Sequence, residues 1–312
     1  MEQRDQRSGV LLVLAAGALW GTVGPAQVLA GPAVEPVALG GARILLGGLV
    51  LAAAVLATDP GSLRGLVTRR WPALLAASAA TATFQAAFLM SVATTGAAAA
   101  TAVTFGVAPV ATGVAQRVAL GTALSRRWVA GTVCAVLGCA VLVTPAGGVP
   151  VDVAGLALGV LAGGCFGVYT VAAKRLIGHG AAMPAAVAVT LLVGGSVLLP
   201  WTIAALPALT EPRILALVLW LGPVTAAAAY WCFVTGLHRV SAATAGTLSL
   251  VEPLVAAALA VVVLGERPSA PVTAGAVLLL GGLVLVSLNR RIGGPPAARP
   301  ARPRGPRHCT AA

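Results

Sequence analysis

Charged residues are scarce in this chain, and acidic residues are the scarcest. Only 9% of its 312 residues are charged and 8 are Asp or Glu, while 59% are hydrophobic. Soluble proteins carry about 25% charged residues, so this composition excludes an ordinary soluble domain. Apolar runs of about 20 residues, the length that an α-helix needs to cross a bilayer, recur along the sequence. The runs are continuous and do not alternate with period two, which excludes a β-barrel and favours an all-α membrane protein.

Residues for catalysis, metal binding and disulfide bonding are also missing. The sequence has no GxSxG, HExxH or Walker motif and no paired carboxylates. Its 3 histidines lie in predicted loops, span ends or the tail, and its 5 cysteines form no CxxC pair. Cysteines within apolar runs are typical of small apolar filling rather than of a metal or disulfide site. We therefore predict no enzyme activity, no catalytic residue, no cofactor, no metal and no direct use of ATP.

Ten transmembrane helices are predicted from the apolar runs. Their limits are 9–30, 37–57, 72–93, 97–116, 128–144, 153–173, 184–205, 214–237, 242–264 and 271–288. The first run is longer than the apolar region of a signal peptide, so we expect it to be retained as a helix. The longest interior loop is expected at 58–71. Residues 1–8 precede the spans, and the Pro/Arg-rich tail 289–312 is typical of disorder.

The positive charges give an orientation. With both termini in the cytoplasm, most of the 20 basic residues fall on the cytoplasmic side, and the outer side holds Arg213 and Arg267. This asymmetry is typical of a multi-pass protein of the plasma membrane. It explains the net charge of +12 by membrane orientation and by attraction to anionic lipid, so we predict no binding of nucleic acid.

The chain repeats itself at a fixed offset of 144 residues. Pro109 matches Pro253, and Gly121, Gly131 and Gly138 match Gly265, Gly275 and Gly282. The repeat divides the chain into a five-helix segment at 9–144 and another at 153–288. Since five is odd, the two halves enter the membrane from opposite sides, and the fold is predicted as two inverted five-helix repeats. Inverted repeats are typical of transporters that work by alternating access.

Glycine and proline mark places where helices pack or bend. The sixth span has Gly155, Gly159, Gly163 and Gly167 on one stripe, and Gly17 and Gly21 lie at the matching place in the first span. Such stripes indicate close helix packing, with a sliding contact between the halves as a compatible role. Pro109 and Pro253, each in the middle of a span, are predicted helix breaks near the site.

Few polar groups lie within the spans. Glu252 is predicted near the middle of the ninth span, where a carboxylate is either a pathway or coupling group or a structural partner of the Pro253 break. Arg43 lies in the second span, where snorkelling to the outer surface is the simpler reading and pairing with Glu252 is an alternative. For the other candidates, lining of a solute cavity competes with packing or interface anchoring. These candidates are Trp20, Gln85, Phe88, Tyr169, Tyr230 and Trp231.

Several short motifs resemble the EamA branch of the drug/metabolite transporter superfamily. They are Leu19-Trp20-Gly21, Ala42-Arg43, Pro109 with Leu120-Gly121, Glu252-Pro253-Leu254 and Leu264-Gly265-Glu266-Arg267, followed by the Gly275–Gly282 helix. The resemblance implies ten helices in inverted repeats, cytoplasmic termini, and a secondary carrier that usually exports amino acids, related metabolites or drugs. Thr122 stands where the family often has a first-half glutamate. No acidic residue occurs in the first span, so the proton coupling of small four-helix relatives does not carry over.

The leading hypothesis is thus a secondary-active exporter of small organic metabolites or drugs in a bacterial membrane. An uptake permease or facilitator is the alternative within transport, and a non-transporting scaffold or receptor is the alternative of another class. Expected partners are the lipid bilayer, a small-molecule solute and a proton or other coupling ion. The sequence indicates neither the solute nor the oligomeric state.

Overall fold

Helices make up nearly all of the described chain. The computed structural model describes residues 2–30, 34–143, 152–265 and 267–288, and within these ranges there is no strand. Nine helical stretches of the described residues are long and apolar enough to cross a membrane. The predicted tail 289–312 and Glu266 lie outside the described residues.

Six helices form the first half of the chain. They are α1 (Glu2–Gly21), α2 (Val23–Ala30), α3 (Pro36–Thr58), α4 (Gly61–Thr95), α5 (Ala97–Leu120) and α6 (Arg126–Val143). Glu35 begins α3, since its carboxylate accepts hydrogen bonds from the backbone N–H groups of Val37 and Ala38 at 3.1 and 2.7 Å. Such a cap satisfies donors that the first turn of a helix leaves free.

The second half is more often interrupted. It contains α7 (Val153–Gly178), α8 (Met183–Val197), α9 (Leu199–Ala204), α10 (Leu206–Leu209) and α11 (Pro212–Trp220), then a π-helical segment (Leu221–Ala228), α12 (Ala229–Leu237), α13 (Ala242–Leu248), α14 (Val251–Leu264) and α15 (Ala270–Ser287). The seventh predicted span, 184–205, is divided between α8 and α9, and only the shorter apolar helix Met183–Val197 remains there. The structure therefore gives nine full-length candidates among the described residues, where ten spans were predicted.

Two sequence expectations about helix limits were wrong. The predicted loop 58–71 is mostly helical, because α4 begins at Gly61 and continues to Thr95. The predicted break at Pro109 is absent, since α5 runs through this residue without interruption. Proline removes one backbone N–H and favours a kink, but the remaining turns of a long helix can hold it together. By contrast, a break does precede Pro253, between α13 and α14.

Matched glycines end the two equivalent helices. Gly121 ends α5 and Gly265 ends α14, with φ of 67° and 72°. This left-handed conformation favours glycine and satisfies the last carbonyl groups of a helix. The matched glycines of the sequence repeat therefore reflect two helices that end in the same way.

The glycine stripe of α7 packs against the first half of the chain. A Cβ added at Gly163 would lie 2.6 Å from the Thr104 carbonyl oxygen, and one at Gly167 would lie 2.8 Å from the Thr112 nitrogen. Further along the stripe, the Ser91 hydroxyl donates to the Gly155 carbonyl at 2.7 Å. Because helix backbones approach this closely only where side chains are small, the stripe lies at a helix contact.

The matching pair in α1 makes the related contact with the second half. A Cβ added at Gly17 would lie 2.4 Å from the Val251 side chain, and one at Gly21 would lie 2.7 Å from the Glu252 carbonyl oxygen. Helix α1 thus packs closely on the start of α14, as α7 packs on α5.

Helices α6 and α15, which the repeat makes equivalent, run antiparallel. Gly131 faces Gly282, and Gly138, seven residues later, faces Gly275, seven residues earlier. The equivalent helices α3 and α8 have the same sense. In α3 and α8, Gly41 faces Leu198 while Gly48 faces Leu192.

Candidate functional site

Two opposite charges from different halves of the chain lie in the same region of the helix bundle. Arg43 lies on α3, and Glu252 lies in the first turn of α14. The Glu252 backbone lies against Gly21, the neighbour of Trp20, and the Trp20 indole shares a carbonyl with Arg43. No ion pair joins Arg43 and Glu252 in the described structure. Both residues remain partly accessible. The Arg43 side chain reaches a backbone carbonyl of the eighth span, at Thr225.

The Glu252 carboxylate has no hydrogen-bond partner among the described residues. Its backbone N–H donates to the Ser249 carbonyl at 3.0 Å, in the short turn that joins α13 to α14. Pro253 has no N–H, and the turn before it is closed by the amide of Glu252 instead. The side chain therefore does not cap the helix break, and its oxygens are left for another partner.

A single backbone carbonyl holds Arg43 and Trp20. The Thr225 carbonyl oxygen accepts hydrogen bonds from Trp20 Nε1 at 2.9 Å and from Arg43 Nη2 at 3.2 Å. Thr225 lies in the π-helical segment, which also contains Pro223. In a π-helix the backbone hydrogen bonds span five residues instead of four, and such segments occur often at functional sites. The irregular backbone of the eighth span thus orients a cation from the second.

Aromatic rings surround this point. Trp20 lies edge-on to Tyr230 with ring centroids 5.3 Å apart, and it also contacts Phe233 at 5.4 Å and Phe166 at 6.2 Å. Tyr169 joins the cluster through Tyr230, at 5.6 Å. Edge-to-face contacts of this kind are favourable beyond the burial of the rings. The cluster brings residues of α1, α7 and α12 to one wall.

A second group of rings continues the wall toward α5. Phe84 and Phe88 stack at 5.7 Å on α4, Phe88 contacts Phe105 at 6.2 Å, and Phe84 contacts Phe166 at 6.2 Å. The predicted candidate Phe88 is thus continuous with the Trp20 cluster. Gln85 is buried, and its amide nitrogen lies where a Cβ at Gly40 would stand.

Two buried polar atoms of the site have no partner in the described structure. They are the hydroxyl of Tyr169 and the Nε atom of Arg43. Buried polar groups are nearly always hydrogen-bonded to protein, water or ligand. Together with the free carboxylate of Glu252, they give the site both a donor and an acceptor for a polar solute or water.

Trp231, a candidate either for lining the site or for packing and anchoring, is more exposed than its neighbour in the cluster. Its side chain is 45% exposed, whereas the neighbouring Tyr230 is 9% exposed. Consecutive residues of an α-helix point about 100° apart, so only one of the two could face the cluster.

Sequence reasoning missed two residues around the charge pair. The Thr225 carbonyl carries no side-chain signal. Phe233 follows Tyr230 by three residues, and this spacing on one helical face could have revealed it.

Comparison with known proteins gives one family. The model of the EamA-like transporter family matches residues 7–144 and 153–288. An uncharacterized transporter of Bacillus subtilis (strain 168), YwfM, is 34% identical over 285 residues, covering 90% of this chain and 94% of the relative. A solved crystal structure of a protein is similar to this chain, with a TM-score of 0.74 and 25% identity, covering 90% of this chain and 96% of its own.

Proposed function

This chain belongs to the EamA-like transporter family, and we propose that it is a secondary-active transporter that exports small organic metabolites, such as amino acids or related compounds, or drugs. Its apolar helices make it a multi-pass membrane protein that contacts the lipid bilayer. We further propose that it resides in the plasma membrane with both termini in the cytoplasm, as its charge distribution favours.

The contacts between equivalent helices support two inverted five-helix halves. Helix α6 pairs with α15, α3 pairs with α8, and α5 pairs with α13. In the third pair Gln116 contacts Ala243 while Thr112 contacts Gly246, so this pair is antiparallel as well. Equivalent helices of opposite sense are expected when two similar halves are related by an axis in the membrane plane. With α8 and α9 as one interrupted span, the count returns to ten.

The observation that carries the transport proposal is the position of Arg43 and Glu252. A charge inside a membrane protein is costly and is normally neutralised by a close partner. Here the two halves supply opposite charges that no ion pair joins in the described structure, beside an aromatic wall and a helix broken just before Glu252. A site of this kind suits an organic solute with a polar or charged group and an apolar part.

The proposal is tested first in cells and then with purified protein. Metabolites inside and outside cells that contain or lack the protein are compared, and each solute whose distribution changes is assayed in proteoliposomes. We expect lower internal levels of a solute in the expressing cells, and uptake into liposomes that depends on the protein and on Glu252. Higher internal levels would indicate an uptake permease. No change for any solute, with no transport in liposomes, would favour a scaffold or receptor.

A further inference from the structure

The two parts of the ninth span differ in how they are held. Every residue of α13, Ala242–Leu248, is buried, whereas in α14 only Pro253 is buried. Helix α13 packs on α1, α5, α6, α7, α12 and α15, so it lies at the centre of the bundle. The part of the span on one side of Glu252 is thus enclosed, and the part on the other side is partly accessible.

Polar contacts from the first half of the chain hold α13 in place. The Gln116 side-chain oxygen accepts a hydrogen bond from the Ala243 backbone N–H at 2.7 Å. The hydroxyl groups of Thr132 and Thr247 are 2.8 Å apart. Since Thr247 can donate to its own helix at the Ala243 carbonyl, Thr132 can act as the donor between them. Both contacts join elements of opposite halves, and both would be lost if α13 moved away from α5 and α6.

The connection between α12 and α13 is also anchored, by a lysine of α7. The Lys174 ammonium group donates to the backbone carbonyls of Leu237 and Val240, the latter at 2.7 Å. A cation at the last carbonyls of a helix is favourable. This anchor therefore holds the same end of α13 as the Gln116–Ala243 hydrogen bond.

The joint between α13 and α14 consists of two residues, Ser249 and Leu250. Leu250 donates to the Thr247 carbonyl at 3.1 Å and Glu252 donates to the Ser249 carbonyl at 3.0 Å, both over three residues. Such turns replace the regular helix, and a few residues at an element end can absorb the change in backbone angles of a hinge. The equivalent helix α5 is continuous, so only the second half has this joint.

We propose that α13 is a gate, that the Gln116–Ala243 and Thr132–Thr247 hydrogen bonds hold it shut, and that it turns at Ser249–Leu250 to open Glu252 toward the Gln116 side. This inference rests on the proposed transport function. In the predicted topology the gate closes the cytoplasmic end of the pathway. Gln116 and Thr132 are then positioning residues that decide from which side the site is reached.

A buried reporter tests the gate without a transport assay. Thr112 is fully buried, with its side chain beside Gly246 of α13. In a variant with the 5 native cysteines replaced by alanine, a movement of α13 should expose a cysteine at Thr112 to reaction. We expect Gln116→Leu and Thr132→Val each to raise its rate of reaction with N-ethylmaleimide, in detergent, about fivefold, as the loss of one net hydrogen bond predicts. Two variants are measured so that the test still stands if one of them does not fold.

Thr81→Val is the matched control. It also removes a buried hydroxyl, but Thr81 donates only to the Ala77 carbonyl of its own helix, at 2.9 Å. We expect the labelling rate in this variant to equal that of the reporter protein. An unchanged rate in both Gln116→Leu and Thr132→Val, or an equal rise in Thr81→Val, overturns the gate.

A cross-link separates the gate from the proposed function. Cysteines in place of Thr132 and Thr247 would stand where the two hydroxyls lie 2.8 Å apart. Oxidation should join them, stop transport of the solute found in cells, and be reversed by reductant. Normal transport by the cross-linked protein overturns the gate while transport stands. Faster labelling of the reporter in a protein that transports no solute supports the gate and overturns the function.

Discussion

Gly138 of α6 and Gly275 of α15 meet backbone to backbone. A Cβ added at Gly138 would lie 2.9 Å from the Gly275 carbonyl oxygen, and one added at Gly275 would lie 2.8 Å from the Gly138 carbonyl oxygen. Two helical turns away, Gly131 and Gly282 make the same kind of contact. In the sequence repeat, Gly131 corresponds to Gly275 and Gly138 corresponds to Gly282. Gly138 therefore contacts the counterpart of Gly131, and Gly131 contacts the counterpart of Gly138.

The first prediction tests this contact. Gly282→Leu should lower the stability of the detergent-solubilised protein by about 3 kcal/mol or more, because overpacking against rigid backbone cannot be relieved by a side-chain movement. Its neighbour is a matched control, since a Cβ at Gly281 meets nothing within 4 Å. Gly281→Leu should leave the thermal midpoint unchanged or slightly raised, since leucine favours helix over glycine. Equal midpoints for the two variants would contradict the packing.

The glycine stripe of α7 offers the same comparison. Gly163→Leu should reduce folded protein or transport sharply, because its side chain would enter the space of Thr104 and Val107. Gly163→Ala should be milder. Gly164→Leu should have little effect, since no atom lies within 4 Å of a Cβ there. Size-exclusion profiles and solute uptake measure the outcome, and normal behaviour of Gly163→Leu would place the stripe against lipid.

Glu252 should matter for transport and little for folding. Glu252→Gln keeps the size of the side chain but removes its charge and its titration. We expect transport to fall sharply or to lose its pH dependence, with thermal stability near the parent, because no described residue donates to the carboxylate.

Glu35 is the control for this substitution. Its carboxylate caps α3, so Glu35→Ala should cost about 0.5–2 kcal/mol of stability and leave transport per folded molecule unchanged. Full activity of Glu252→Gln with an unchanged pH profile would reduce Glu252 to a structural residue.

We predict that His238, which lies just after the eighth predicted span, makes the stability of the protein depend on pH. Burial, then the nearby charges of Lys174 and Arg239, lower the pKa of His238 below its ordinary value of 6.5. The unfolded chain therefore binds this proton more readily, and the stability contributed by neutral His238 is lost as the pH falls below about 6.5. His238→Gln should flatten the fall of the thermal midpoint between about pH 7 and 5. An unchanged slope would contradict the assignment.

The orientation is tested by labelling in intact cells. In the cysteine-free background, a cysteine at the exposed Thr210, in the connection before α11, should react with a membrane-impermeant maleimide. A cysteine at the exposed His179, after α7, should stay protected until the cells are opened. The reverse pattern would invert the topology.

Much of the fold follows from local sequence properties. Apolar run length predicts most of the spanning helices because a bilayer requires a fixed length of helix with all backbone groups bonded internally. The matched glycines Gly121 and Gly265 predict equivalent helix ends because the left-handed conformation favours glycine. The helical start of α4 was missed because charge and turn residues suggested a loop.

The site depended on packing between distant segments. By itself, the sequence determined most of the apolar spans, the repeat and the presence of a basic and an acidic residue within them, since these properties depend on residue type and spacing. Only the tertiary structure decided that Arg43 reaches the Thr225 carbonyl beside Trp20, and that Tyr230 rather than Trp231 faces the cluster. Helix rotation and side-chain direction inside an apolar bundle are set by the shape of neighbouring helices. A sequence that is apolar on every face carries little signal about either.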